Sequence, residues 1–303
     1  DARDVLPQLL EVLAAGHHRL LELGILAPRE DVVHSEEDQV AVRRDDVTGG
    51  GAEEESNVGD HVQVGSHTRK ATEALDPPTL RYKVATCLYA MAHGGVLKTI
   101  ADAASIGKST LKLWLDQFSD GITKHVKPLH MPGTPWDAET LAAVRGQFAS
   151  RRGIDVACLA CDGSHIPFKP KNNRIKMDYR NYKGWTSVLL VAFVDSCYRF
   201  FEVDVGYPCR AGDNTVLARN GFMTKLETDA DTYLGVGGLI LGDSGASDGD
   251  RIFMNPYHAP STPERCWFNF CHSSTRFFVE QTFGMWKNRF RFLLHGMPQT
   301  NHK

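Results

Sequence analysis

Three acidic residues stand where the apolar pattern of this chain breaks. In GGLILGDSGASDGD the run Leu239-Ile240-Leu241 stops at Gly242 and Asp243 follows; in DVACLACDG a second apolar run ends in Asp162. A carboxylate at the mouth of a buried strand costs stability unless a cation meets it, and that cation is either a structural arginine or a metal ion. The third acid, Glu280, lies in STRFFVEQTFGMWKNRFRFLL among Phe277, Phe278, Thr282, Met285 and Phe292. If the three converge with no cation among them, they repel and raise one another's pKa. A divalent ion resolves that conflict, and hard carboxylate oxygens suit Mg²⁺ or Mn²⁺.

The elements around these residues explain how they could meet. DVACLACDG reads as a buried strand ending in Asp162, WTSVLLVAFVDS as a second, and YRFFEVDVGYP as a third with alternating apolar and polar residues. Short connections make these an antiparallel meander. GDNTVLARNGF follows as a short helix with Asp213 in its first turn, then the strand GGLILGDS, then the long helix carrying Glu280. Strand, strand, strand, helix, strand, helix is the order of a ribonuclease H-like α/β mixed-sheet core. In that fold the first and fourth strands are neighbours, so Asp162 and Asp243 end at one edge and a helix packed across the sheet delivers Glu280.

The remainder divides into three stretches: an arm at 1–76, a helical region at 77–150 and the core at 154–303. The arm carries 7 Lys+Arg against 17 Asp+Glu, a net charge of -10, whereas 77–303 carries 27 against 20, a net of +7. The body is basic enough to meet phosphates. The arm is charged, Gly-interrupted and poor in aromatics, which predicts disorder, with one amphipathic helix over its leucine-rich start. In the helical region RYKVATCLYAMAHGG predicts a helix stopped by a Gly pair. LKTIADAASIGKSTLKLWLDQF then has a helix-turn-helix layout. Ala103 and Ala104 are expected at the helix crossing, Gly107 in the turn, Ser109 as cap, and Leu111, Trp114, Leu115 and Phe118 inside. The second helix would present Lys108, Thr110 and Lys112 at its start, where DNA-reading helices make contacts; a plain helical hairpin is the alternative.

Other features restrict the function classes. No stretch reaches the roughly 18 unbroken apolar residues of a membrane span, and no signal peptide opens the chain, so a soluble intracellular protein without membrane contacts is expected. Seven scattered cysteines do not suggest a disulfide framework. Cys158 and Cys161, with Cys266, Cys271 and His272, would be the material of a zinc site. In a strand, however, residues three apart point to opposite faces, and buried thiols are the expectation. KPKNNRIKMDYRNYKGW interleaves Lys169, Lys171, Arg174, Lys176, Arg180 and Lys183 with Tyr179, Tyr182 and Trp185, which suits phosphate contact and base stacking or a solvated hairpin. His165 reads either as a ligand-orienting residue or as a strand-exit side chain. Lys287, Arg289 and Arg291, on or just past the Glu280 helix, read as phosphate contacts or a solvated face.

Five ordered blocks carry a resemblance: CDGSHIPF, YKGWTSVLLVAFVDSCYRF, CRAGDNTVL, LILGDSGA and STRFFVEQTFGMWKNRFRFL. Over roughly residues 80–295 the chain resembles the PIF/Harbinger transposases and their domesticated nuclease relatives, whose catalytic domain is a DDE endonuclease. The resemblance implies that Asp162, Asp243 and Glu280 form the DDE triad and that Asp213 is a further metal ligand; as a first-turn residue Asp213 also reads as a helix cap. It implies two Mg²⁺ or Mn²⁺ ions, which together activate water and stabilise the leaving oxygen at phosphorus, with Asp162 bridging them and Asp243 and Glu280 each holding one. Implied too are cleavage and joining of DNA at transposon ends, a separately encoded Myb-like DNA-binding partner and a nuclear location, with the cytoplasm as alternative. Self-association into a homo-oligomer is left open, as is a second function, a DNA-binding or scaffolding protein whose chemistry has been lost. Two departures from the resemblance stand out: Ala246 replaces the aromatic that commonly follows GDSG in the family, and the usual continuation past the Glu helix is missing after Lys303, so a C-terminally truncated core is expected.

Overall fold

A computed structural model describes residues 78–131, 133–170, 176–208, 212–243, 251–295 and 297–298. The acidic arm, Lys171, Arg174 and Ala246 lie outside these residues. The described elements from Leu80 onward belong to one compact unit.

Helix α1 (Leu80–His93) buries Thr86, Cys87, Ala90 and Met91, one stripe at helical spacing, and stops where the glycine pair predicts. Gly94 has φ +66°, and a Cβ there would meet the backbone of Arg291 and Phe292 at 2.7 Å, so both conformation and space require glycine. Helices α2 (Leu97–Ala103) and α3 (Lys108–His125) follow. Leu111 and Trp114 are buried, with Leu115 and Phe118 packed beside them, as expected. The turn is made differently from the expectation. Ser105, with φ +51°, takes the left-handed position, while Ile106 N–H reaches back to the Ala101 carbonyl (2.9 Å). Gly107 is the extended N-cap, no side chain caps the helix, and Ser109 lies within it. The small residue buried in the cluster with Ala90, Ile100 and Leu111 is Ala101, whereas Ala103 is exposed and Ala104 half-buried.

After the short α4 (Lys127–His130), α5 (Ala138–Arg152) is capped by Asp137, which accepts Thr140 N–H at 2.7 Å, and ends at Gly153 with φ +80°. Strands β1 (Ala157–Lys169), β2 (Ser187–Val194) and β3 (Phe200–Pro208) form the antiparallel meander. Helices α6 (Asp213–Leu217) and α7 (Gly221–Leu234) lead to β4 (Leu239–Leu241), which lies parallel to β1. A two-residue strand β5 (Phe253–Met254), too short to show a periodicity, adds parallel to β4. The order β3-β2-β1-β4-β5 is a mixed sheet consistent with a ribonuclease H-like core. A final short strand, β6 (Met297–Pro298), pairs with the far end of β1.

Every residue of β2 is buried, because both faces of the sheet are covered. Val188, Leu190, Ala192 and Val194 share one core cluster with residues of α1, α3 and α5 and of the long helix α8 (Pro263–Arg289). Leu189, Val191 and Phe193 share the other with α6 and α7. Helix α8 starts at Pro263, eleven residues before the expected segment, behind its N-cap Thr262, whose hydroxyl accepts Arg265 N–H (3.4 Å). Its buried stripe is Cys271, His272, Thr275, Phe278, Val279, Thr282, Phe283 and Trp286; Phe277 and Met285 flank it half-buried. A side chain of Trp286's size, fully buried, contributes roughly 1.5–3 kcal/mol or more to stability.

A β-bulge between Ala157 and Leu159 reverses the expected alternation. Cys158 and Cys161 therefore fall in the same cluster, under α6 and α7. Burial pushes the Cys158 thiol up to about 11 and the Cys161 thiol well above its usual value, so both remain protonated at neutral pH. Cys271 and His272 are buried in α8, where His272 Nε2–H donates to the Met254 carbonyl (2.8 Å); Cys266 is exposed.

Candidate active site

Asp162 is not at a strand end. It is the sixth residue of the thirteen-residue β1 and pairs with Ala192 of β2 in a ladder that continues to Pro167. The strand that stops is its other neighbour: pairing with β4 ends at Ala160 opposite Leu241. The Gly242 N–H closes the ladder to β5 by donating to the Met254 carbonyl (3.1 Å), and the next residue, Asp243, turns off the sheet beside Asp162. The two aspartates meet because β1 outruns β4.

Asp213 completes the cluster from the first turn of α6. No side-chain hydrogen bond caps that helix, whose N-cap is Gly212. The Asp213 carboxylate instead lies against Gly163, where any side chain would collide with both of its oxygens. A glycine inside a strand commonly marks such a close approach. One carboxylate oxygen each of Asp162, Asp213 and Asp243 lie within 4.8 Å of one another, and all three residues are half-buried. Among the described residues this is the one such group of three or more acidic, histidine or cysteine side chains.

Electrostatics confirm the crowding. Burial, then the charges of Asp162 and Asp243, push the Asp213 carboxyl up to about 6. Burial also raises Asp162, against the opposing pull of Arg276 and the Gly163 N–H, which donates to Asp162 Oδ1 (2.9 Å). The expectation that no local cation stands among the acids is overturned by Arg276. Its Nη1 lies 2.8 Å from Asp162 Oδ2, and its Nη2 donates to Glu280 Oε1 (2.7 Å) one turn along α8. Burial works against the Arg276 charge, but Asp162 and Glu280 outweigh it and strengthen its hold on the proton. Glu280 thus stands beside the three aspartates through Arg276 and outside the 4.8 Å group. Neither Arg276 nor Gly163 was marked by sequence reasoning, although a basic residue four before an acid on a helix and a glycine within a strand are both legible signals.

Three aspartates offering hard oxygens, with Gly163 making room for one of them, fit a divalent cation such as Mg²⁺ or Mn²⁺. His165 is on the flank: Nδ1 is hydrogen-bonded to Ser187 Oγ (3.0 Å), its ring lies edge-on to Tyr182 and Trp185, and its carbonyl accepts Lys287 Nζ (3.2 Å). Lys287 is half-buried on α8, two turns past Glu280, and Arg289 is half-buried near the helix end. Lys108 is exposed and Thr110 and Lys112 half-buried at the start of α3; Lys176, Arg180 and Lys183 are exposed in the β1–β2 connection, where Lys183 lies over the Tyr182 ring (5.6 Å).

Comparison with known proteins agrees with this geometry. Over 249 residues the chain is 24% identical to Protein ALP1-like of Arabidopsis thaliana, a match taking in 75% of this chain and 57% of that relative. The chain therefore spans a little over half the relative's length. No solved structure matches it. Residues 161–303 match the family described as DDE superfamily endonuclease, a stretch that opens beside Asp162 and takes in Asp213, Asp243 and Glu280.

Proposed function

We propose that this protein is a divalent-metal-dependent DNA endonuclease of transposase descent, cutting and joining phosphodiester bonds at transposon ends. The observation that carries the reading is the placement of Asp162, Asp213 and Asp243 within 4.8 Å of one another where β4 leaves the sheet. These three would hold the ion, with Glu280 on hand for a second. Bound there, divalent metal supplies Lewis-acid stabilisation of charge developing at phosphorus and a lowered pKa for attacking water.

The chain's own residues supply binding and orientation. Lys287, fixed by the His165 carbonyl, and Arg289 lie along the Glu280 helix and hold substrate phosphates. Lys176 extends the basic surface, with Tyr182 and Trp185 as exposed stacking rings, and Lys171 and Arg174 add basic charge to the same stretch of sequence. Lys108, Thr110 and Lys112 at the start of α3 position the duplex by its backbone. With so little base readout, a Myb-like accessory protein supplies end specificity, and the nucleus is the place of action. A second reading, a DNA-binding or scaffolding protein that has lost its chemistry, is favoured by Arg276, which neutralises Asp162 and Glu280 without metal.

Mg²⁺-dependent nicking of terminal-repeat DNA by the purified protein separates the two. Asp162→Asn, Asp243→Asn and Glu280→Gln each remove a charge at little change in volume and are expected to abolish nicking with unchanged circular dichroism. Wild-type nicking by any of them would show that the site is wrongly placed; absence of nicking in the parent protein, with DNA binding intact, selects the second reading.

A further inference from the structure

Arg276 is mostly buried and serves two carboxylates on two elements: Asp162 in β1 and Glu280 in its own helix, at 2.8 and 2.7 Å. Guanidinium suits this task because its planar fork addresses two acceptors at once, whereas an ammonium is a point charge. The two arms are not equal. Nη2 makes a hydrogen bond to Glu280, an exposed acid; Nη1, buried, approaches Asp162 without any N–H directed at an acceptor. The link to Asp162 is therefore an ion pair with a poorer hydrogen-bond geometry than the link to Glu280. It falls on Oδ2, while Oδ1 is taken by the Gly163 N–H, so both oxygens of Asp162 are engaged before any other cation arrives.

We propose that Arg276 is the built-in counter-cation of this site: it clamps Asp162 to Glu280 before metal enters and competes with the incoming ion for Asp162. The proposal rests on the reading of the aspartate cluster as a metal site. Two cations drawing on one carboxylate repel, so Arg276 lowers the intrinsic affinity of the cluster for divalent ions while stabilising the empty fold. It makes Glu280 a ligand in reserve, tethered one turn away until the guanidinium lets go. Arg276 acts through Asp162 and Glu280 and is a positioning residue.

The test titrates Mn²⁺ alone, without DNA, into the full chain and its Arg276→Met, Arg276→Lys and Asp162→Asn variants, reading free Mn²⁺ by electron paramagnetic resonance and unfolding temperature in EDTA and in Mn²⁺. Removal of the charge in Arg276→Met is expected to tighten Mn²⁺ binding by about tenfold or more. The same variant should melt earlier in EDTA and recover in Mn²⁺. Arg276→Lys keeps the charge but reaches one carboxylate, and is expected to hold wild-type Mn²⁺ affinity while losing part of the EDTA stability. Damage to the fold alone would lower affinity, so tightening is a readout that a merely structural arginine does not produce. Equal or weaker binding by Arg276→Met, with binding abolished by Asp162→Asn, overturns the proposal and leaves the metal site standing. Mn²⁺ binding that is absent, or indifferent to Asp162→Asn, overturns both. Should Arg276→Met fail to fold, Arg276→Lys decides: full EDTA stability there overturns the two-armed clamp.

Discussion

Asp213 carries the clearest electrostatic consequence. Its folded pKa, about 6, lies above the ordinary 3.8 because burial and two neighbouring aspartates disfavour its charge. A carboxyl raised in the folded state contributes stability that is fully present below the unfolded pKa and is lost as pH rises through the folded one. In EDTA the unfolding temperature should therefore fall between about pH 4 and about pH 6 more steeply in the parent protein than in Asp213→Asn. The difference is on the order of 1 kcal/mol after solvent screening. Mg²⁺ or Mn²⁺ should reverse the loss at neutral pH, where the carboxylates are charged. Superimposable pH profiles for the two proteins would show that Asp213 is not crowded. Asp162, Asp243 and Glu280 were legible as candidates because each interrupts an apolar pattern, and Asp213 by resemblance. Arg276 was not, since a basic residue on a helix reads as solvated until the strand it faces is known.

Two glycines fix how elements approach, and they separate packing from chemistry. Gly163 leaves β1 bare where α6 brings the Asp213 carboxylate, and Gly94 ends α1 where the Arg291–Leu294 turn passes behind it. Gly163→Ala is expected to push Asp213 away from Asp162 and weaken Mn²⁺ binding by about tenfold or more, the equivalent of roughly 1.4 kcal/mol. Gly94→Ala meets backbone at a positive φ and should cost about 1–3 kcal/mol of stability with Mn²⁺ affinity unchanged. Thermal unfolding and Mn²⁺ titration of both variants check the contrast; a metal effect at Gly94, or none at Gly163, would refute it. Helix ends and strand cores were readable because they are local: the Gly94-Gly95 stop and the run of β2 both lie where propensity and periodicity put them. The segment expected as a helix-turn-helix holds two helices, α2 and α3, joined by a turn that differs from the expected one. Ser105 accepts the left-handed conformation that glycine was expected to supply, and Gly107 has an ordinary extended φ.

The whole chain divides its charge, net -10 over 1–76 and net +7 over 77–303, so DNA binding by the basic part should be governed by phosphate contacts. Affinity of the full chain for duplex DNA is expected to fall steeply with salt, with little sequence preference. Lys108→Ala and Lys112→Ala should each reduce the salt slope by about 1. Recovery of a long, well-defined terminal-repeat motif by binding-site selection on the lone protein would refute dependence on an accessory reader. Isolating the helical region is no substitute, because Cys87, Met91 and Trp114 pack in the same core as β2 and α8. The sequence sufficed for the order of the meander, the fourth strand and the long helix, though not for α7, β5 or β6; for the pairing of first and fourth strands; and for marking three of the four acids as candidates by pattern, the fourth by resemblance. It sufficed because burial imposes a periodicity on each segment and an acid that breaks it is conspicuous. It could not show that β1 runs on past Asp162, that a bulge turns Cys158 and Cys161 to one side, or that Arg276 stands between Asp162 and Glu280. Those are matters of where one segment stops relative to another, and they are settled by contacts between residues far apart in the chain, which leave no period behind.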